Sequence, residues 1–362
     1  MKNIFRRVAN FKERQIVLSH RRLLFLVSFV FFVVQSFAPE SIARAEELPL
    51  ATGLPKFLGC AYSAPQARDF ASYWNEVTPE NAGKWASVES VRGKMDWTAL
   101  DQAYRFAKSH GFVFHYHVLV WGQQQPEWLR HLPTEQQRAA IEHWFDAVAQ
   151  RYPDADFVEV VNEPLHHPPE GNLPDAGNYI AALGGKGASG WDWILEAFRM
   201  ARARFPHSKL MLNDYSITNT PADAQRYREI VDLLLREKLV DAIGIQGHAF
   251  STTLEAPVAT HRAALDLLAA TGLPIYVNEF EIDGPSDAQQ LKDIERVFPM
   301  FWSHPAVQGV TLWGFRPGLW RDKQRAYLVR KDGSERPALM WLRGYVRGVI
   351  GPATQAGQAP ES

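Results

Sequence analysis

Between Lys56 and Gly314 the chain repeats one alternation, a short run dense in Val, Ile, Leu, Phe and Tyr followed by a longer segment with apolar residues at helical spacing. The runs are Lys56 to Ser63, Tyr73 to Thr78, Phe112 to Trp121, Phe157 to Val161, Lys209 to Asn213, Ala242 to Gln246, Ile275 to Phe280 and Val307 to Gly314. Helical faces are marked by Leu100, Ala103, Tyr104 and Ala107; by Ile141, Trp144, Phe145 and Val148; and by Ile194, Leu195, Phe198 and Ala201. Later ones are marked by Tyr227, Ile230, Val231 and Leu234; by Leu265, Leu268 and Ala269; by Leu291, Ile294, Val297 and Phe301; and by Leu339, Leu342, Tyr345 and Val349. Strands that are apolar throughout, rather than every second residue, are buried on both faces, which in an α/β chain means a parallel sheet covered by helices. Eight such units in roughly 300 residues favour closure into a single (β/α)8 TIM barrel. An open doubly wound sheet is the alternative, but neither GxGxxG nor GxxxxGK[ST] follows the first run.

The two ends of the chain read differently. Residues 1–45 hold Lys2, Arg6, Arg7, Lys12, Arg14, Arg21 and Arg22 before the apolar run Leu23 to Ala38, then Ala43-Arg44-Ala45. A basic region, an apolar stretch and an A-x-A pattern form a secretory signal with cleavage expected after Ala45; an uncleaved anchor is the alternative, although the run is short for a span. The catalytic domain is then expected over 46–351, with a disordered tail at 352–362. Without the leader, 31 of the 39 basic and 38 of the 40 acidic side chains remain, a net charge of −7. That balance gives no electrostatic case for a nucleic acid or an anionic membrane as partner. Cys60 is the only cysteine, so no intrachain disulfide is possible; its apolar setting predicts a buried thiol rather than a nucleophile.

In a (β/α)8 barrel, functional side chains sit where strands end. Here the polar residues collect at those places: His117 and Trp121 after the third run, Asn162 and Glu163 after the fourth, Asn213, Asp214 and Tyr215 after the fifth. Gln246 and His248 follow the sixth, Glu279 and Glu281 the seventh, and Trp313 the eighth. Two carboxylates facing each other across such a mouth meet the need of glycoside hydrolysis, where one group protonates the leaving oxygen and the other supports the anomeric carbon. Twelve tryptophans fit stacking on sugar faces as well as packing in a core. The segment Leu165 to Gly190, with Pro168, Pro169, Pro174 and repeated glycines, has no period, and a loop of that length in a compact chain is usually functional. His115, His117, His166, His167 and His248 lack HExxH or similarly tight spacing, so neither a metal nor any other cofactor is expected.

Seven blocks in order carry a family resemblance: TPENAGKW at 78–85, HVLVW at 117–121, VVNE at 160–163, NDY at 213–215, IGIQGH at 243–248, VNEFE at 277–281 and LWG at 312–314. Together they resemble the endo-1,4-β-xylanases of glycoside hydrolase family 10, over residues 56 to 347. The resemblance implies Glu163 as general acid/base and Glu279 as nucleophile of a retaining double displacement, with Asn162 on the sugar 2-hydroxyl. It implies that His248 and Gln246 flank Glu279 and Glu163, with Glu281 in support. Glu80, Asn81, Lys84, His117 and Trp121 would bind sugar, and Tyr215, Trp313 and Trp320 would give stacking surface. The charge of Glu279 is expected to raise the pKa of Glu163.

Three departures stand out. Gly122 occupies the place where the family usually has His after HxLVW; Glu159 and Glu281 stand where Asp is usual; and WGFRPGLW, Trp313 to Trp320, is one residue short of WGxxDxxSW and lacks its Asp. The expected function is a secreted or periplasmic monomer that cleaves internal β-1,4 bonds of xylan. The alternatives are a same-barrel β-glycosidase acting on short xylo-oligosaccharides or another β-linked glycan, and a non-catalytic carbohydrate-binding protein.

Overall fold

Each apolar run pairs in parallel with the one before and the one after it, and the last pairs back onto the first, so that eight strands close into a barrel. These relations come from a computed structural model that describes residues 48–252 and 256–349. The signal read in residues 1–45 and the tail read in 352–362 lie outside the described residues. The strands are β1 Phe57–Tyr62, β2 Glu76–Pro79, β3 Val113–Tyr116, β4 Phe157–Asn162, β5 Lys209–Asn213, β6 Ala242–Gly247, β7 Ile275–Phe280 and β8 Val307–Leu312. In chain order the helices are α1 Trp85–Val88, α2 Thr98–Ser109, α3 Thr134–Arg151, α4 Asp192–Arg204, α5 Pro221–Arg236, α6 Ala249–Thr252, α7 Val258–Ala269, α8 Asp287–Trp302 and α9 Pro337–Val346. Their starts follow local chemistry. Pro221 and Pro337 open α5 and α9, where a missing N–H costs nothing, and the Ser286 side chain accepts from Gln289 N at the start of α8.

Strands β5 and β7 fall where the sequence placed them, whereas β2, β3 and β8 are shorter. Tyr73 closes a 3₁₀ turn over Phe70–Ser72, so β2 starts only at Glu76. The run Phe112 to Trp121 is buried from Phe114 onward, but only Val113–Tyr116 is strand. Beyond Tyr116 the chain passes through a cis His117–Val118 peptide and is tied to β4 by hydrogen bonds from Leu119 N to Glu159 O, from Val120 N to Val160 O and from Asn162 N to Val120 O. The last helix ends at Val346, and Val349, expected on its apolar face, is exposed. Cys60 is buried within β1, and burial pushes its thiol pKa well up.

Inside the barrel lies an unexpected carboxyl. Glu76 on β2 is fully buried, and its two oxygens accept from Thr78 Oγ1 at 2.5 Å and Thr311 Oγ1 at 2.8 Å. Gly59 makes room for it, since a Cβ there would lie 1.7 Å from Glu76 Oε2. Burial pushes the pKa up to about 8 despite those two hydrogen bonds. The folded chain therefore holds a proton that the unfolded chain releases near pH 4.3, and stability falls as pH rises between about 4.3 and 8. Unfolding curves from pH 5 to 9 are expected to show Glu76→Gln losing about 2–4 kcal/mol less stability than wild type across that window. Parallel pH curves for the two proteins would refute this account of Glu76.

Candidate active site

The site is built where strands stop alternating. Register shifts between Glu159 and Val161 along β4, and between Ile245 and Gln246 along β6, re-aim the residues that follow. Glu163, directly after β4, has φ of 54°, in the left-handed region that non-glycine residues rarely occupy; its N–H donates to Asn213 O at 2.7 Å. That turn sends the neighbouring side chains of Asn162 and Glu163 into the same cleft. Such a backbone costs about 1–3 kcal/mol and persists only where surrounding bonds fix it.

A cleft of about 840 Å³ opens at the ends of the strands and is lined by both Glu163 and Glu279. Hydrogen bonds connect the two carboxyls through amides. Gln246 Nε2 donates to Glu163 Oε1 at 3.0 Å and to Asn162 Oδ1 at 3.1 Å; Asn213 Nδ2 donates to Asn162 Oδ1 at 3.2 Å and to Glu279 Oε1 at 3.0 Å. With its oxygen taken by two donors, Asn162 is left with its NH₂ to offer a hydroxyl.

On the other side of Glu279 stands a charged chain. His248 Nε2 lies 3.2 Å from Glu279 Oε2 and its Nδ1 2.6 Å from Glu281 Oε2. Glu281 also accepts from Ala249 N at 3.0 Å and pairs with Arg321 at 3.3 Å, which in turn holds Asp283. Burial disfavours charge on His248, but Glu281 and Glu279 overcome it and push its pKa up to about 10, so both ring nitrogens donate at neutral pH. Glu279 thus has a donor on each of its oxygens.

Around Glu163 the expectation of a raised pKa is corrected. Burial does work in that direction, but His167, Gln246 and Trp121 all donate to the carboxylate, and the pKa ends below its ordinary value. Trp121 Nε1 reaches Oε2 at 2.8 Å and His167 Nδ1 reaches the same oxygen at 2.6 Å. The two carboxyls are therefore held differently, Glu163 by His167, Gln246 and Trp121, and Glu279 by Asn213 and a His248 whose pKa is pushed up to about 10.

The remaining residues singled out in the sequence mostly line the same cleft. Glu80, Asn81, Lys84, His117, Trp121, Tyr215, Gln246, His248, Trp313 and Trp320 all do so, while Glu281 sits behind His248. Lys84 Nζ bonds Asn81 Oδ1 at 3.0 Å and lies 4.9 Å over the Trp121 ring. Trp320, 53% exposed, presents an open face; Trp313 is a buried wall 5.7 Å from His117; and Tyr215 already stacks on His166 at 4.0 Å. The shortened Trp313 to Trp320 segment is pinned by Gln66, which bonds Arg316 N and O at 2.8 and 3.0 Å, and by Trp320 N donating to Glu80 Oε1 at 3.1 Å.

Sequence reasoning missed Gln123, Gln124, His167, Phe250, Gly318, Leu319 and Arg321 as lining residues. Of these only His167 carried a signal, as half of a His-His pair, and it was weighed only as a metal ligand. Its neighbour His166 bonds Asp214 at 2.7 Å instead. Glu159, where Asp was usual, is a fully buried carboxyl whose pKa burial and the charge of Glu279 drive well up, beside His117 Nδ1 at 3.1 Å. Among the described residues no three His, Cys, Asp or Glu side chains are grouped to hold a metal ion.

Comparison with known proteins places this geometry in context. The sequence profile of glycosyl hydrolase family 10 matches residues 55–345. Endo-1,4-beta-xylanase B of Cellvibrio japonicus is 35% identical over 292 residues, which are 79% of this chain and 45% of that protein. Anti-sigma-I factor RsgI6 of Acetivibrio thermocellus is 26% identical over 258 residues, 70% of this chain and 31% of that protein. The chain thus spans less than half the length of these curated relatives. The structure of GH10 from Paenibacillus barcinonensis superposes with a TM-score of 0.70 at 23% identity, covering 82% of this chain and 96% of that one, a likeness of fold.

Proposed function

The chain belongs to glycosyl hydrolase family 10, and on that premise we propose that it is an endo-1,4-β-xylanase working by a retaining double displacement. The observation that carries the reading is the pair Glu163 and Glu279, at the ends of β4 and β7, in one cleft but in opposite hydrogen-bonding surroundings. One relative bears the name of an anti-sigma factor; the paired carboxyls argue for a catalyst here.

In the proposed cycle Glu279, oriented by His248 and Asn213, attacks the anomeric carbon. Glu163 gives its proton to the departing glycosidic oxygen, and Asn162 Nδ2 donates to the 2-hydroxyl as positive charge builds on the ring. In the second half Glu163 takes a proton from water, the water attacks the glycosyl ester, and Glu279 is released. Glu80, Asn81 and Lys84 grip the sugar one place further along the chain, and Trp320 offers it a flat apolar face. The signal read in residues 1–45 supports export to where a polymeric substrate is met.

A product profile tests the reading. Mixed xylo-oligosaccharides are expected from xylan, with retention of anomeric configuration in the first product seen by NMR, and little from carboxymethyl-cellulose or xylobiose. Activity confined to xylobiose would favour a β-glycosidase of short oligosaccharides, and no hydrolysis of any would sink the enzyme reading.

A further inference from the structure

The loop Leu165 to Gly190 places His167 in the lining of the cleft, and its path there depends on Gly122. A Cβ at that position would come within 2.1 Å of the His167 carbonyl oxygen and 2.4 Å of that of Pro168, backbone atoms that cannot simply rotate away. The contact is reinforced on both sides. Gly177 N donates to Gly122 O at 3.0 Å, Gln125 N to Asp175 O at 2.8 Å, and Tyr179 Oη to Trp121 O at 3.1 Å. Asp214, whose Oδ2 accepts from Leu165 N at 2.9 Å and whose Oδ1 meets His166 Nδ1 at 2.7 Å, fixes the turn between Glu163 and His167. His167 N–H then donates to Glu163 O at 2.7 Å, and its ring reaches the Glu163 carboxyl at 2.6 Å.

Resting on the reading of Glu163 as acid/base, we propose that His167 is a positioning residue for that carboxyl: Gly122 lets the loop close, and the loop delivers an imidazole that orients Glu163 and shares one proton with it. The balance is simple. In bond cleavage the proton passes from Glu163 to the glycosidic oxygen, leaving a carboxylate beside a neutral imidazole; in hydrolysis of the ester Glu163 recovers a proton from water, and the pair is again singly protonated. The site holds the imidazole across from Trp121, which donates to the same oxygen and so limits the carboxyl to one orientation. Other titratable and charged groups face the pair: Lys84, His117, Glu159 and Glu279 from the barrel, and His166, Asp214 and Tyr215 from the exits of β4 and β5. None of these is altered in the variants below.

The test uses the full-length protein and two substrates, xylan for the cleavage step and a 4-nitrophenyl xylobioside for the ester hydrolysis. In His167→Ala the proton is held by Glu163 alone, and two groups that share one proton hold it more tightly than either does by itself. The alkaline limb of kcat/KM on xylan and the acidic limb of kcat on the aryl substrate, which both report loss of that proton, are expected to move down by about one pH unit. His167→Asn keeps a donor without the charge, so it should restore plateau kcat to within a few-fold while leaving both limbs displaced. Gly122→Ala, which pushes the loop back, should displace them the same way. Limbs of His167→Ala that coincide with wild type, or limbs returned to their wild-type position by His167→Asn, would overturn the proposal. A ¹³C NMR titration of the Glu163 carboxyl follows the pair without turnover, with two steps expected in wild type and a single step in His167→Ala. It separates failure here from failure of the xylanase reading, which is a wild type that hydrolyses no polymer.

Discussion

Glu279→Ala is expected to lower xylan hydrolysis by about 10⁴-fold or more, the scale seen when a covalent catalyst loses its nucleophile. The loss follows from position rather than from folding. Glu279 is the acceptor for Asn213 and His248 and lines the cleft from the end of β7, where no other carboxyl replaces it: Glu281 is turned to His248, Ala249 N and Arg321. Binding of xylo-oligosaccharides should survive, because Glu80, Asn81, Lys84 and Trp320 are untouched. Isothermal titration with xylotriose alongside rate measurements checks both halves. A variant with near-normal turnover would remove Glu279 as nucleophile, and one that no longer folds would be seen in its unfolding curve.

Glu163→Ala is expected to behave differently on two substrates. With xylan the leaving group is a poor one and needs its proton, so bond cleavage should slow by about 10²–10⁴-fold. An activated aryl xylobioside needs little protonation, so its cleavage step should suffer far less and the covalent intermediate should accumulate, visible as a burst of aryl alcohol before a slow steady state. Equal losses on both substrates, with no burst, would count against an acid role for Glu163. The variant leaves Gln246, Trp121 and His167 without their shared acceptor, but each keeps contact with other residues or with solvent, so the fold should hold.

How much of this was legible in the sequence follows from where each residue sits. Barrel strands are buried on both sides, so their runs are apolar and a polar residue at the end of one is conspicuous; Asn162, Glu163, Asn213, Gln246 and Glu279 were found that way. The same burial misled at Phe112 to Trp121, where an apolar run continues after the strand has stopped. Loop residues carry no period, so nothing in the sequence placed Phe250 beside His248, Arg321 on Glu281 or His167 on Glu163. Gly122 showed itself only as a departure, and its cause, the backbone of His167 and Pro168 passing overhead, is visible only in three dimensions. The sign of the shift at Glu163 was missed for the same reason: the charge across the cleft was readable, whereas the donors converging on the carboxyl were not.

The central claim is that Glu279 forms the bond to the sugar while Glu163 moves the proton. Incubation of the wild-type protein with a 2-deoxy-2-fluoro xylobioside carrying a good leaving group slows both steps and lets the covalent intermediate survive digestion and mass spectrometry. The account predicts time-dependent loss of xylan hydrolysis and a single fluoro-xylobiosyl adduct on the peptide containing Glu279, at Glu279 itself. An adduct on any other residue, or continued turnover of xylan with product of inverted configuration, would contradict it.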